Sequence, residues 1–112
     1  MSEASGAPFF LARNLGGAVE APEQGVASAK VYDGPGLTLV VLAFAPGAAL
    51  DEHTSRWPVS LYVLEGAGRA SVGDAEVGLL SGTWLRVEPR AVHSLTATSS
   101  MKVALMLVKA PE

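Results

Sequence analysis

The sequence has no cysteine, so disulfide bonds and thiolate chemistry are excluded for this chain. It is also poor in charged residues, which make up 17% of its 112 residues, and in aromatic residues, at 6%. Lysine and arginine number 8 against 11 aspartates and glutamates, which gives a formal net charge of −3. A chain with this balance has no basic surface for a polyphosphate backbone, so nucleic-acid binding is not expected.

Long apolar runs and targeting signals are missing as well. The longest apolar run, 37–46, is interrupted by Thr38 and falls far short of the ~20 residues that a membrane helix needs. Residues 1–8 contain no cationic stretch followed by an apolar core, so no secretory signal is expected. Together with the lack of cysteine, these features predict a soluble cytoplasmic protein that does not bind membranes.

The sequence does contain many short apolar runs, separated by its 12 glycines and 7 prolines. None of these runs has a helical period with capping residues. Short strands with a turn every 8–12 residues or so are typical of an all-β sandwich or small barrel. We therefore predict an antiparallel all-β fold in a single domain, 1–112, with residues 1–8 as a loose tail.

The turn residues also suggest where the strands lie. Gly73-Asp74 is expected to connect a hairpin, and Glu65-Gly66-Ala67-Gly68 to form a tight turn. The predicted strands are 9–15, 26–32, 37–44, 49–53, 59–64, 69–72, 75–80, 83–87, 92–98 and 101–109. Strands 37–44 and 101–109 are apolar on both faces, which requires cover on both sides. A second copy of the chain would supply this cover, so we predict a homodimer.

The only two histidines, His53 and His93, stand in two segments that each begin at a glycine. The first runs from Gly47 as G-A-A-L-D-E-H and continues to Y-V-L-E-G; the second reads G-T-W-L-R-V-E-P-R-A-V-H. Each is a turn that leads into a strand, and each carries one imidazole. We expect the two segments to fold onto each other so that both rings face one cavity.

These two segments resemble the paired motifs of the cupin superfamily, G-x5-H-x-H-x3,4-E-x6-G and G-x5-P-x-G-x2-H-x3-N. Gly47 stands six positions before His53, and Gly82 and Pro89 precede His93 in the second segment. The resemblance covers about residues 35–110. It implies a cupin-like jelly-roll β-sandwich or barrel, with its pocket between the sheets.

The sequence departs from these motifs at four positions. Ser55 stands in place of the second histidine, Val59 in place of the glutamate, Arg90 in place of a glycine and Ala97 in place of the final asparagine. Cupins that hold a metal usually use three histidines and that glutamate, and this chain keeps two of the four. The resemblance therefore implies that His53 and His93 would be the metal ligands.

Two imidazoles leave most coordination positions to water, so a divalent iron, manganese, nickel or zinc ion would be held weakly. Asp51 and Glu52 neighbour His53, but strand parity points Glu52 away from the cavity. Glu65 lies in the turn after its strand. Glu88, on a loop near His93, is the one candidate for a third ligand. No metal is therefore firmly expected.

The candidate pocket extends beyond the two imidazoles. The predicted lining is His53, Ser55, Trp57, Val59, Leu61 and His93. Trp84 and Tyr62 could also line a pocket, although large aromatics in a small β protein are more often core or interface residues. Arg56 and Arg90 flank the motifs and could contact an anionic ligand, but solvated loop charges are the simpler interpretation. The two histidines could equally be inert, hydrogen-bonded elements of the core.

Three functions are compatible with this pattern. The first is binding of a small organic ligand in the cavity, with a metal weak or absent. The second is a metal-dependent dioxygenase or isomerase, in which His53 and His93 are ligands and substrate completes the coordination shell. The third is a structural or association domain with an idle pocket. Ligand binding is our leading interpretation and the enzyme the first alternative, although the fold alone does not decide because it hosts many unrelated activities.

Overall fold

A computed structural model describes residues 8–109, so the predicted tail lies almost wholly outside the described residues. The only helix in this range is a 3₁₀ turn at Leu15–Gly17, and no helix there could cross a membrane. The strands are β1 (Val26–Gly34), β2 (Leu37–Phe44), β3 (Ala49–His53), β4 (Val59–Glu65), β5 (Ala67–Val72), β6 (Ala75–Leu80), β7 (Trp84–Val87), β8 (His93–Ala97) and β9 (Met101–Val108).

The strands form two antiparallel sheets, which confirms the predicted jelly-roll class. The five-stranded sheet has the order β1-β2-β9-β4-β7, and the four-stranded sheet has the order β3-β8-β5-β6. Consecutive strands repeatedly pass from one sheet to the other, so β3 and β4 lie in different sheets. This arrangement places the histidine-bearing strands β3 and β8 side by side.

The core lies between the sheets and consists of the alternate residues that face inward. Phe44 and Val63, from the five-stranded sheet, are fully buried and pack with Leu79 and Leu95 of the other sheet. Burial of each such side chain stabilises the folded state by about 1.5–3 kcal/mol relative to exposure. In β4 the side chains at positions 59, 61 and 63 are buried and point inward, as the alternation of a β-strand requires.

The turn predicted at 65–68 is shorter than expected, because β4 ends at Glu65 and β5 begins at Ala67. Gly66 is the single residue between β4 and β5, with a φ of +88° that favours glycine. A Cβ atom at this position would lie 2.0 Å from the carbonyl oxygen of Ser100. Close contact with the backbone therefore adds to the conformational requirement for glycine at 66.

The strand predicted at 9–15 is wrong, because this segment crosses the outer face of the five-stranded sheet without pairing to it. The Phe10 ring packs 5.1 Å from that of Tyr32 in β1. The 3₁₀ turn contacts β4 and β9, and the Lys102 ammonium donates a hydrogen bond to the Gly16 carbonyl at 2.6 Å. We call residues 8–18 the crossing segment.

Part of the outer face of the five-stranded sheet is buried within the single chain. Val41 and Ala43 of β2 and Ala104 of β9 lie on the outer face, yet they are 0%, 0% and 2% exposed. The chain itself covers these residues, so they need no partner. Tyr62 and Trp84, further along the same face, remain 41% and 61% exposed.

The hairpin formed by β1 and β2 is fixed at its tip by one carboxylate. Asp33 accepts hydrogen bonds from Thr38 Oγ1 at 2.9 Å and from Lys109 Nζ at 3.1 Å. The bond from Lys109, followed by that from Thr38, holds the pKa of the Asp33 carboxyl below its usual value. Because Lys109 directly follows β9, these contacts connect the hairpin to the end of the central strand.

Candidate functional site

The strand register brings the two histidines together. His53 ends β3 and His93 begins β8, and the two residues are direct partners in the antiparallel ladder. Their ring centroids are 4.2 Å apart, with the ring planes at 62° in an edge-to-face arrangement. We call these two side chains the histidine pair. A separation of forty positions in sequence thus becomes a single cross-strand contact.

Both imidazoles are oriented in the same way. His53 Nδ1 lies 2.8 Å from the carbonyl oxygen of Asp51, and His93 Nδ1 lies 2.9 Å from that of Ala91. A carbonyl oxygen only accepts hydrogen bonds, so each Nδ1 must carry the proton that it donates. Each neutral ring therefore presents Nε2 as an acceptor, and neither Nε2 has a hydrogen-bond partner within residues 8–109.

The histidine pair borders a small cavity between the two sheets. His93 is 6% exposed, whereas His53 is exposed and lies on the solvent side. The cavity volume is about 10 Å³, which is enough for about one water molecule. The lining residues are Leu50, His53, Val59, Leu61, Ala70, Val72, Leu85, Val87, His93, Ser94, Leu95 and Leu105.

Four of the six predicted pocket residues line this cavity, but Ser55 and Trp57 do not. Strand β3 ends at His53, so strand parity no longer applies to the loop that follows it. The Ser55 hydroxyl accepts a hydrogen bond from the Trp57 backbone N–H at 3.2 Å. The Arg56 guanidinium lies 4.8 Å from the centre of the Trp57 ring. These two predicted residues therefore belong to the loop at the cavity mouth.

Within residues 8–109, no carboxylate joins the histidine pair. Glu88, the predicted candidate for a third ligand, forms an ion pair with Arg86 at 3.1 Å. Asp51 and Glu52 are exposed. Over residues 8–109, no group of three histidine, cysteine, aspartate or glutamate side chains lies close enough to hold a metal ion. The polar chemistry of the cavity therefore rests on two imidazoles.

Several lining residues were missed at the sequence level, including Leu85 and Val87 of β7 and Leu105 of β9. In the sheet, Val87 pairs with Val59, and Leu61 pairs with both Leu85 and Leu105. Alternation along β7 and β9 assigns these residues to one face, but it does not tell which strand neighbours β4. Their aliphatic side chains fill most of the space between the sheets.

Comparisons with solved structures agree with this architecture. No protein-family model matches the chain, and no curated protein matches its sequence. A conserved protein of unknown function from Streptococcus pyogenes superposes with a TM-score of 0.84 at 17% identity, covering 100% of this chain and 98% of that one. An RmlC-like cupin from Desulfovibrio desulfuricans gives 0.80 at 25% identity, covering 89% and 97%.

A third similar structure is part of a longer chain. A cupin 2 conserved barrel domain protein from Leptotrichia buccalis superposes with a TM-score of 0.81 at 27% identity. The match covers 86% of this chain but 47% of that one. These similarities establish the fold, and the activity has to be argued from the site itself.

Proposed function

Because this chain is a small cupin with an incomplete metal-binding motif, we propose that it binds a small organic molecule through the Nε2 atoms of His53 and His93. The observation that carries the proposal is the common orientation of the two rings, each with Nδ1 bound to a carbonyl. Two adjacent imidazole acceptors favour a ligand with a neutral hydrogen-bond donor such as a hydroxyl. The apolar lining strengthens such a hydrogen bond and disfavours a charged donor.

The size of the cavity limits how the ligand binds. About 10 Å³ admits one water molecule and not the body of an organic molecule. In this proposal the polar group of the ligand reaches the histidine pair, and the rest of the ligand lies outside, against the mouth loops 54–58 and 88–92. The exposure of His53 supports this binding mode.

Replacing both histidines tests the proposal. We expect hydroxyl-bearing fragments to shift the imidazole ¹⁵N resonances of the wild-type protein in an NMR titration. The His53→Ala, His93→Ala variant should bind the same fragments roughly two- to tenfold more weakly, because the lost hydrogen bond from the ligand hydroxyl contributes about 0.5–1.5 kcal/mol. Thr96→Ala, at an exposed position of β8 outside the cavity lining, is the matched control.

Equal binding by the double variant would exclude the histidine pair as the site. If no fragment perturbs the imidazole resonances, the idle-pocket hypothesis replaces ligand binding. A variant that fails to fold is recognised by its amide spectrum, and His53→Ala alone then serves. His53 is exposed, so its truncation is expected to change stability little.

A metal-dependent enzyme is the second candidate, favoured by the bonds from Nδ1 to the carbonyls. Histidines that bind metals usually donate their other ring N–H in this way. The site fits a divalent metal ion only in part, because it offers two imidazoles and, within residues 8–109, no carboxylate beside them. A divalent ion bound here would act as a Lewis acid toward substrate, while His53 and His93 would hold it and leave its other positions open. The NMR titration with Zn²⁺ should show weak binding that dialysis reverses, and tight retention would favour the enzyme.

We also propose that the chain forms a homodimer through the exposed part of the five-stranded sheet. Tyr62 and Trp84 are direct cross-strand partners, 41% and 61% exposed. Phe9 and Leu11 of the crossing segment, which packs on the same sheet, are 67% and 51% exposed. Adjacent exposed aromatics of this kind are typical of interface cores.

Light scattering tests the dimer. We expect the Tyr62→Ser, Trp84→Ser variant to be monomeric at concentrations where the wild-type protein is dimeric, because interface aromatics often contribute about 2 kcal/mol or more each. Leu80→Ser is the matched control, since Leu80 is 65% exposed but lies in the other sheet. A variant with the wild-type mass would place the interface elsewhere, and a monomeric wild type would refute the dimer.

A further inference from the structure

Arg90 holds an unusual backbone conformation at the mouth of the cavity. Its φ of +68° makes it the only residue other than glycine with positive φ within residues 8–109. It is the third residue of the turn 88–91, which the Ala91 N–H closes onto the Glu88 carbonyl at 3.2 Å. Positive φ at this turn position favours glycine or asparagine. For an arginine, this conformation is strained and destabilises the folded state.

The Arg90 backbone also connects the two loops that hold the histidines. Its N–H donates to the Ser55 carbonyl at 2.7 Å, which ties together the loops that follow His53 and precede His93. The next carbonyl, of Ala91, accepts the hydrogen bond from His93 Nδ1. A glycine at position 90 would form the same backbone contacts without strain. The backbone therefore does not explain why a side chain is present here.

The guanidinium group of Arg90 has no structural partner within residues 8–109. The residue is exposed, and no ion pair in this range includes it. The nearby Glu88 is already bound by Arg86. An exposed, unpaired cation at a strained position, three residues before His93 and tied by its backbone to the loop that follows His53, is well placed to bind an anion. Guanidinium binds carboxylates with two parallel hydrogen bonds.

We infer that Arg90 is the anion-binding residue of this site and that the ligand is a small hydroxycarboxylate. The inference rests on the proposed function, which supplies the role of the histidine pair. The hydroxyl of the ligand donates to one Nε2, and the cavity has room for a water that donates to the other. The carboxylate lies outside the apolar cavity, bound by the Arg90 guanidinium, so no charge has to be buried.

Three probes with the same three-carbon skeleton separate the two halves of this ligand. Lactate carries both groups, propanoate lacks the hydroxyl, and lactamide lacks the charge. We expect NMR titrations of the wild-type protein to give lactate an affinity roughly tenfold above that of lactamide, which loses the charge-assisted hydrogen bonds, and roughly two- to tenfold above that of propanoate, which loses one neutral hydrogen bond.

Variants at position 90 then identify the cation. Arg90→Asn tolerates positive φ but removes the charge. Arg90→Lys keeps the charge but cannot form the two parallel hydrogen bonds of a guanidinium group. We expect the asparagine variant to bind lactate and lactamide equally, and the lysine variant to keep part of the preference for lactate. Arg90→Gly should also lose this preference, while its Tm stays at the wild-type value or rises by up to roughly 4 °C as the backbone strain is relieved.

The outcomes distinguish this inference from the proposed function. If lactate and lactamide bind equally to the wild-type protein and both require the histidines, the result supports binding by the histidine pair and refutes anion binding by Arg90. If Arg90→Gly keeps the preference for lactate, another group binds the anion. A Tm several degrees below wild type in Arg90→Gly would show that the arginine is structural. If neither these probes nor the hydroxyl-bearing fragments bind, both proposals fall.

Discussion

A single methyl group at position 66 is expected to prevent stable folding. In Gly66→Ala, the new Cβ would lie 2.0 Å from the Ser100 carbonyl oxygen and 2.7 Å from the Met101 Cα. Both contacts are to backbone, so no side chain can rotate away, and the φ of +88° adds strain. We expect the free energy of unfolding to fall by about 4 kcal/mol or more, a loss seen only for a few kinds of substitution. Chemical denaturation measures it.

Two other glycines separate the contributions of the clash and the backbone strain. Gly82 has a φ of +95°, but a Cβ atom added there would have no neighbour within 4 Å, so Gly82→Ala should cost only about 1–2 kcal/mol of conformational strain. Gly78 lies in β6 with open space around it, and Gly78→Ala should be neutral or stabilising. If Gly66→Ala costs no more than Gly82→Ala, the close approach of the backbone at 66 does not matter.

A carboxylate at position 59 is expected to convert the histidine pair into a strong metal site. Val59 is 4% exposed and lines the cavity with both imidazoles. Without metal, Val59→Glu should lower the free energy of unfolding by about 3 kcal/mol, because it buries a carboxyl group among aliphatic side chains. Two histidines and a carboxylate form a familiar set of metal ligands, so Zn²⁺ or Fe²⁺ should restore the lost stability.

The matched control is Val63→Glu, on the same inward face of β4. Val63 is fully buried but does not line the cavity with the histidines. We expect this variant to be destabilised and metal to restore nothing, as thermal melts with and without Zn²⁺ would show. Rescue of both variants would mean that the metal acts elsewhere. Rescue of neither would mean that position 59 and the imidazoles cannot share one ion.

The fold was predictable where a strand is bounded by residues that cannot continue it. The bounds of β2, β3 and β6 agree with the prediction, because a glycine lies within two positions of at least one end of each. Turn residues and strand propensity do not indicate that β3 and β8 are neighbours. That prediction came from the resemblance to the cupin motifs. Sequence position alone does not indicate that residues 53 and 93 are cross-strand partners.

The errors arise where non-local contacts override local pattern. Phe9, Phe10 and Leu11 form an apolar run that suits a strand, but they pack across the sheet instead of extending it. Val41 and Ala43, for which the sequence suggested cover by a second copy, are already buried within the single chain. Ser55 was placed in the pocket by motif alignment, although β3 ends two residues earlier. The cavity volume depends on how leucines from several strands interlock, and no single segment encodes it.

The position of β9 in its sheet has a consequence for biosynthesis. This strand is the last one described, yet it lies between β2 and β4 and pairs with both. Until it leaves the ribosome, the nascent chain exposes two unpaired strand edges with apolar residues, which is a state open to aggregation. The five-stranded sheet can close only after synthesis of β9, so its formation depends on slow, long-range pairing.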